Sequence, residues 1–81
     1  MSRSKREMRE PFEVLANAII IQAVEDWREA VRVLNERTGD VDARHMKDEC
    51  EAFLLSDRYE QLTKLDGARL LRMLRKEAGL L

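Results

Sequence analysis

The sequence predicts an all-α fold, a small helical bundle with one long N-terminal helix. Glycine and proline are scarce, three and one in 81 residues, while Ala, Leu, Glu, Arg and Lys are abundant. That composition favours helix over sheet. From Phe12 to about Arg37 the chain then runs without a Gly or Pro, long enough for roughly seven helical turns. Polar breaks divide the remainder into helix-length pieces. Eighty-one residues make a single domain close to the lower size limit for a self-supporting core.

Residues 1–10 read as a basic N-terminal arm, with Arg3, Lys5, Arg6 and Arg9 against Glu7 and Glu10. Ser4 and Glu7 have the spacing of a capping box, so a short helical turn is expected there. Pro11 then intervenes, and proline is favoured at the first position of a helix. The long helix is therefore predicted over residues 11–37, with the single domain spanning residues 11–81.

Within that helix Phe12, Leu15, Ala16, Ile19, Ile20, Ala23, Val24, Trp27, Ala30, Val31 and Leu34 form one stripe. It covers about half the circumference, wider than the ~100° that one packed neighbour needs. Val14, Ala18 and Ile21 add a shorter apolar stripe on the far side. At about 100° per residue, the consecutive Ile19, Ile20 and Ile21 cannot share one face. Such a helix either sits at the centre of a bundle or offers a second apolar face to another chain, so Val14, Ala18 and Ile21 are the predicted oligomer interface.

Thr38, Gly39 and Asp40 stop one helix and start the next. Gly39 suits a left-handed C′ position and Asp40 an N-cap. The second helix is predicted over 41–55, with Ala43, Met46, Cys50, Phe53, Leu54 and Leu55 on its core side. Ser56 is the next N-cap, opening a short helix over 57–64 that holds Tyr59, Leu62 and Leu65. Asp66 and Gly67 break it. The last helix is predicted over 67–78, burying Leu70, Leu71, Leu74 and Met73 before the stop at Gly79.

Net charge is −1, from 15 basic and 16 acidic residues, but the signs come in blocks. The middle is acidic, with Asp42, Asp48, Glu49 and Glu51, and the last segment is basic. Alternating blocks suit subunits docking on one another at least as well as they suit nucleic acid. The one cysteine, Cys50, makes no internal disulfide. With no signal peptide, this implies a reducing, cytoplasmic setting. The apolar stretch from Leu15 to Val24 is interrupted by Asn17 and Gln22 and is about half a membrane span, so no membrane partner is expected.

Catalytic and metal patterns are missing. There is no Ser/His/Asp set, Gly-rich phosphate loop or HExxH pattern, so no catalytic residue, cofactor or metal ligand is predicted. His45 shares a helix face with Asp42, Asp48 and Glu49 and reads as an exposed histidine stabilised by carboxylates. Cys50, flanked by Glu49 and Glu51, reads as core packing rather than a nucleophile. Arg69, Arg72 and Lys76 fall on one face of the last helix with Arg75 close by. Together with Tyr59 they are the candidates for a phosphate or nucleotide ligand. The alternative nucleic-acid reading uses the last helix with Arg3, Lys5, Arg6 and Arg9.

Two stretches carry a likeness: Leu15 to Arg28 (LANAIIIQAVEDWR), and Glu49 to Tyr59 (ECEAFLLSDRY) followed by Leu62 to Gly67 (LTKLDG). Together they resemble small helical proteins of unknown function encoded by bacterial prophages and other mobile elements. The shared features are an ANAI…QAV.D start, a segment ending in Ser, and an LT..DG..L…LR ending. Where those proteins often carry paired aromatics after Ser-Asp, this chain has Arg58 and Tyr59. The resemblance spans most of residues 15–77. It implies a phage or mobile-element origin and the cytoplasm of a bacterial host, and no reaction.

Residues and resemblance combine into one expectation: a non-enzymatic, oligomeric binding protein that occludes or sequesters a host factor. That factor would be a defence protein, such as a CRISPR effector, or a nucleotide messenger held between subunits. The alternative is a nucleic-acid-binding accessory or regulatory protein.

Overall fold

The computed structural model describes the backbone of residues 2–80 and the side chains of residues 12–80. Four helices follow one another, α1 Ser2–Glu36, α2 Val41–Leu54, α3 Asp57–Leu62 and α4 Gly67–Glu77, with no strand among the described residues. The molecule measures 55 × 20 × 20 Å. Its radius of gyration, 15.4 Å, exceeds the ~12 Å of a compact domain of this length.

That elongation comes from α1. At 35 residues it is two and a half times the length of α2, which has 14. At 1.5 Å per residue these are rods of about 52 and 21 Å. The turn at residues 37–40 sends α2 back along α1, and the pairing of Trp27 with Glu51 sets the antiparallel register. Continued at that register, α2 ends beside Val24, and the N-terminal part of α1 projects beyond it.

The long helix begins nine residues earlier than the sequence predicts, running through Pro11 rather than starting there. Proline removes one intrahelical hydrogen bond, but Arg, Lys, Glu and Met before it are strong helix formers. The expected arm is continuous with α1, and Ser4 lies inside the helix instead of capping it. The side chains of Arg3, Lys5, Arg6 and Arg9 lie outside the described ones.

The other boundaries fall within a residue or two of expectation, because their caps are in the sequence. Asp40 accepts a hydrogen bond from Ala43 N at 2.9 Å, Ser56 Oγ from Tyr59 N at 3.3 Å, and Asp66 from Arg69 N at 3.2 Å. Each satisfies a first-turn N–H that has no carbonyl four residues back. Gly79 is the stop of α4 and, with φ +76°, lies in the left-handed region. Gly39 lies outside that region. Its turn is closed by Asp40 N donating to Arg37 O at 3.0 Å, so no left-handed C′ is required.

Ile20, Trp27 and Val31 of α1, Cys50 and Leu54 of α2, Tyr59 of α3, and Leu71 and Leu74 of α4 form the core. Trp27, Tyr59 and Leu54 are its largest fully buried side chains. Tyr59 meets Phe53 edge-on at 5.9 Å between ring centres, a favourable aromatic geometry. Gly67 admits α4 to this core: a Cβ there would overlap the carbonyl oxygen of Leu54. Several residues expected inside are outside, namely Phe12, Leu15, Ile19, Met46, Leu55, Leu65 and Met73. The first three lie beside the buried Ala16 and Ile20, on a side of α1 that the other helices leave open. Leu55 and Leu65 sit in the connections on either side of α3, and Met73 faces away from the helices that α4 packs on. No helix among the described residues is long and apolar enough to cross a membrane.

Candidate functional site

From Phe12 to Ile21, α1 carries apolar residues on most of its sides, with Glu13 and Asn17 between them. Ala16 and Ile20 point into the core, while Phe12, Val14, Leu15, Ala18, Ile19 and Ile21 are exposed. On the helical wheel the exposed set spans about 180°, opposite the buried arc, with Ala18 and Leu15 near its middle. Val14 and Ile21 remain 63% and 56% accessible. Most apolar positions of this stretch are therefore left largely exposed.

Next to this face, α1 and α2 frame an open apolar groove of about 490 Å³. Leu15, Ala18, Ile19 and Ala23 form one wall, Met46 and Phe53 the other, and Cys50 lies between them. Asp26 and Glu49 stand at its rim, with Arg58 at one end. A second groove of about 310 Å³ shares Asp26 and Met46 with the first and continues along the same two helices. Its lining includes Glu29, Asp40 and Asp42 against one cation, Arg37. Together they make a channel with an apolar floor and a predominantly acidic rim.

Val14, Ala18 and Ile21 are exposed, and so are Phe12, Leu15 and Ile19, which the sequence assigns to the core. The missed factor was coverage. No later helix is long enough to cover a 35-residue rod, and beside the buried Ala16 and Ile20 the residues Leu15 and Ile19 lie on a side of α1 that the other helices leave open.

The candidate anion site is dispersed. Arg69, Arg72 and Lys76 are exposed along one face of α4, as expected. Arg75 belongs elsewhere: its guanidinium donates to Glu51 Oε1 at 2.8 Å. Tyr59 is only 1% accessible and cannot stack on a ligand. Burial and the charge of Asp66 both push its hydroxyl above the usual tyrosine value. The ring is drawn inward because α3 is a single short helix whose one buried residue is Tyr59.

Glu51 is the most heavily bonded acid in the described structure. It accepts from Trp27 Nε1 at 2.9 Å, and its carboxylate pairs with Lys47 and Arg75 at 2.8 Å each. Burial alone raises its carboxyl, but the hydrogen bonds from Lys47, Trp27 and Arg75 outweigh that and bring it to about 2. One residue each from α1 and α4 thus converges on two from α2, a junction of three helices.

Cys50 is buried, and burial followed by the charges of Asp26, Glu49 and Glu51 pushes its thiol up. The thiolate is disfavoured, as expected for a packing residue. His45 Nδ1 lies 3.6 Å from Glu49 Oε1 with both side chains exposed. Among the described residues no group of three or more His, Cys, Asp or Glu side chains is placed to hold a metal ion. Chemically, the strongest feature is therefore the apolar face of α1 with its acid-rimmed channel, a surface suited to receiving another helix. No family model, no curated protein and no solved structure matches this chain.

Proposed function

We propose that this chain is a small oligomeric binding protein, not an enzyme, that acts by occluding or sequestering a cellular factor. One observation carries the reading: the apolar stretch from Phe12 to Ile21 leaves Phe12, Val14, Leu15, Ile19 and Ile21 exposed beside an open apolar groove. Folded monomers rarely leave contiguous apolar surface of this kind uncovered, and where they do it marks an interaction site. The sequence resemblance adds the expectation that the factor belongs to a bacterial host, a defence protein or a nucleotide messenger. Arg69, Arg72 and Lys76 are the exposed cations on α4 to which an anionic ligand would be drawn.

The test is a paired capture from bacterial lysate with wild-type protein and Ile21→Glu, preceded by sedimentation of both. A partner held by the wild type and lost with Ile21→Glu supports the reading, provided helical content is unchanged. Sedimentation of the wild type as a monomer at tens of micromolar, or equal capture by both proteins, overturns it. Retention of duplex DNA that collapses steeply between low and moderate salt would favour the nucleic-acid alternative, because an apolar interface hardly responds to salt.

A further inference from the structure

We propose that the exposed face of α1 is covered by a second copy of this chain, laid antiparallel across the first about a two-fold axis at Ala18. This rests on the reading of the chain as a self-associating binding protein, and it specifies the interface.

The first argument is area. The chain exposes 6664 Å², whereas a folded monomer of 9.5 kDa exposes about 5,000 Å². The excess, roughly 1,600 Å², is about twice the ~800 Å² that each partner buries in a standard stable interface. Phe12, Val14, Leu15, Ile19 and Ile21 of α1 are among the exposed large apolar residues. A two-fold pairing buries the same patch on both copies, so one surface solves the problem twice.

The second argument is shape. Ala18, the smallest of the exposed apolar residues, lies near the centre of the arc, flanked by Val14, Leu15, Ile19 and Ile21. A small residue at the crossing point lets two helix axes approach closely, and the larger neighbours then interdigitate. With the axis at Ala18, Leu15 of one copy lies level with Ile21 of the other, and Val14 with Gln22. Each partner rod continues along the α1/α2 channel, whose groove already presents Leu15, Ile19, Met46 and Phe53.

Charge fixes the direction. Residues 1–10 carry four basic and two acidic side chains, and the antiparallel arrangement lays this basic end of each rod along the partner's channel. That channel is edged by Asp26, Glu29, Asp42 and Glu49. A parallel arrangement would set basic end against basic end and acidic channel against acidic channel, which like-charge repulsion disfavours.

Disulfide trapping reads the direction. Ala18→Cys chains should cross-link to one another under mild oxidation. Val14→Cys chains should cross-link with Gln22→Cys chains, which face them across the axis, but not with themselves. In the antiparallel pair the two copies of residue 14 are separated by about 12 Å along the axis, beyond the ~7 Å Cα separation that a disulfide spans. Wild-type protein, whose Cys50 is buried, should give no cross-link. The double variant Asp26→Lys, Glu49→Lys should weaken the dimer at least about tenfold, equivalent to ~1.4 kcal/mol, with helical content retained.

Efficient self-linking of Val14→Cys would make the pairing parallel and overturn this arrangement while leaving self-association standing. A sedimenting dimer that none of the three positions traps would place the interface elsewhere and also overturn it. A monomer by sedimentation at tens of micromolar removes this proposal and the functional reading together.

Discussion

The indole N–H of Trp27 donates to Glu51 Oε2 at 2.9 Å, and this bond joins the C-terminal third of α1 to the last turns of α2. Trp27 is 1% accessible, so its N–H would be unsatisfied inside the protein without that acceptor, at a cost of about 1–3 kcal/mol. The same carboxylate holds Arg75 of α4 through its other oxygen. A tryptophan at the centre of the core thus requires an acid at its edge, and the acid in turn recruits the last helix.

Glu51 makes stability depend on acidity. Its carboxyl lies at about 2 in the folded chain, against ~4.3 for an unperturbed glutamate. The folded state therefore binds fewer protons than the unfolded one between those values. The stabilisation is complete above the unfolded value and is lost as pH falls through the folded one. Glu51→Gln should lower stability at pH 7 by about 1–3 kcal/mol and flatten the decline of Tm between roughly pH 5 and 2. Thermal melts of both proteins across that range measure it. A parallel decline in the two would mean that Glu51 is not the group responsible.

Three glycines should respond in three different ways. Gly67→Ala drives a methyl group into the carbonyl of Leu54 and should cost about 1–3 kcal/mol, as overpacking does. Gly79→Ala keeps open space around it but is strained at φ +76°, costing roughly 1 kcal/mol. Gly39 has neither constraint. Alanine there should be neutral, or stabilising by up to about 1 kcal/mol through reduced freedom of the unfolded chain. Urea unfolding midpoints order the three variants.

Three adjacent isoleucines should separate just as cleanly. Ile20 is 9% accessible, and its neighbours Ile19 and Ile21 are 46% and 56%. Ile20→Ala should cost about 2–5 kcal/mol. Ile19→Ser and Ile21→Ser should stay within ~0.5 kcal/mol when measured below the concentration at which the protein associates. In exchange, the outer pair should weaken self-association and the inner one should not do so directly. Denaturant unfolding at low concentration, combined with sedimentation at high concentration, distinguishes the two roles.

How much of this was legible follows from the range of the interaction concerned. Asp40 and Ser56 act within three residues of themselves, so the caps of α2 and α3 could be read directly, whereas Asp66 reads as a break and proves also to cap α4. The burial of Trp27, Leu71 and Leu74 follows from helical periodicity, which is also local. Pro11 misled because its penalty is local, whereas the compensating helix propensity is spread over the nine residues before it. Phe12, Leu15 and Ile19 misled for the opposite reason. Periodicity tells which positions of a helix are apolar, but which of its sides the returning helices cover is set by tertiary packing. Leu15 and Ile19 are left open beside the buried Ala16 and Ile20. Arg75 looked like a neighbour of Arg69 and Arg72 because its partner, Glu51, lies 24 residues away, and no local spacing signals that pair.

Tyr59 closes the bundle with its ring rather than its hydroxyl. The side chain is fully buried against Phe53 and beneath the start of α4, yet its oxygen has no hydrogen-bond partner among the described residues. A buried, unpaired hydroxyl costs roughly 1–3 kcal/mol, so Tyr59→Phe should leave stability unchanged or raise it. Tyr59→Ala removes the ring from the junction of three helices and should cost about 3–5 kcal/mol, as loss of a buried aromatic side chain does. Equilibrium unfolding of the two variants decides between ring and hydroxyl. If Tyr59→Phe is the more damaging change, the hydroxyl is bonded in solution and the ring is secondary. The expected order, phenylalanine tolerated and alanine not, would also explain why an aromatic side chain is held at the one buried position of a six-residue helix.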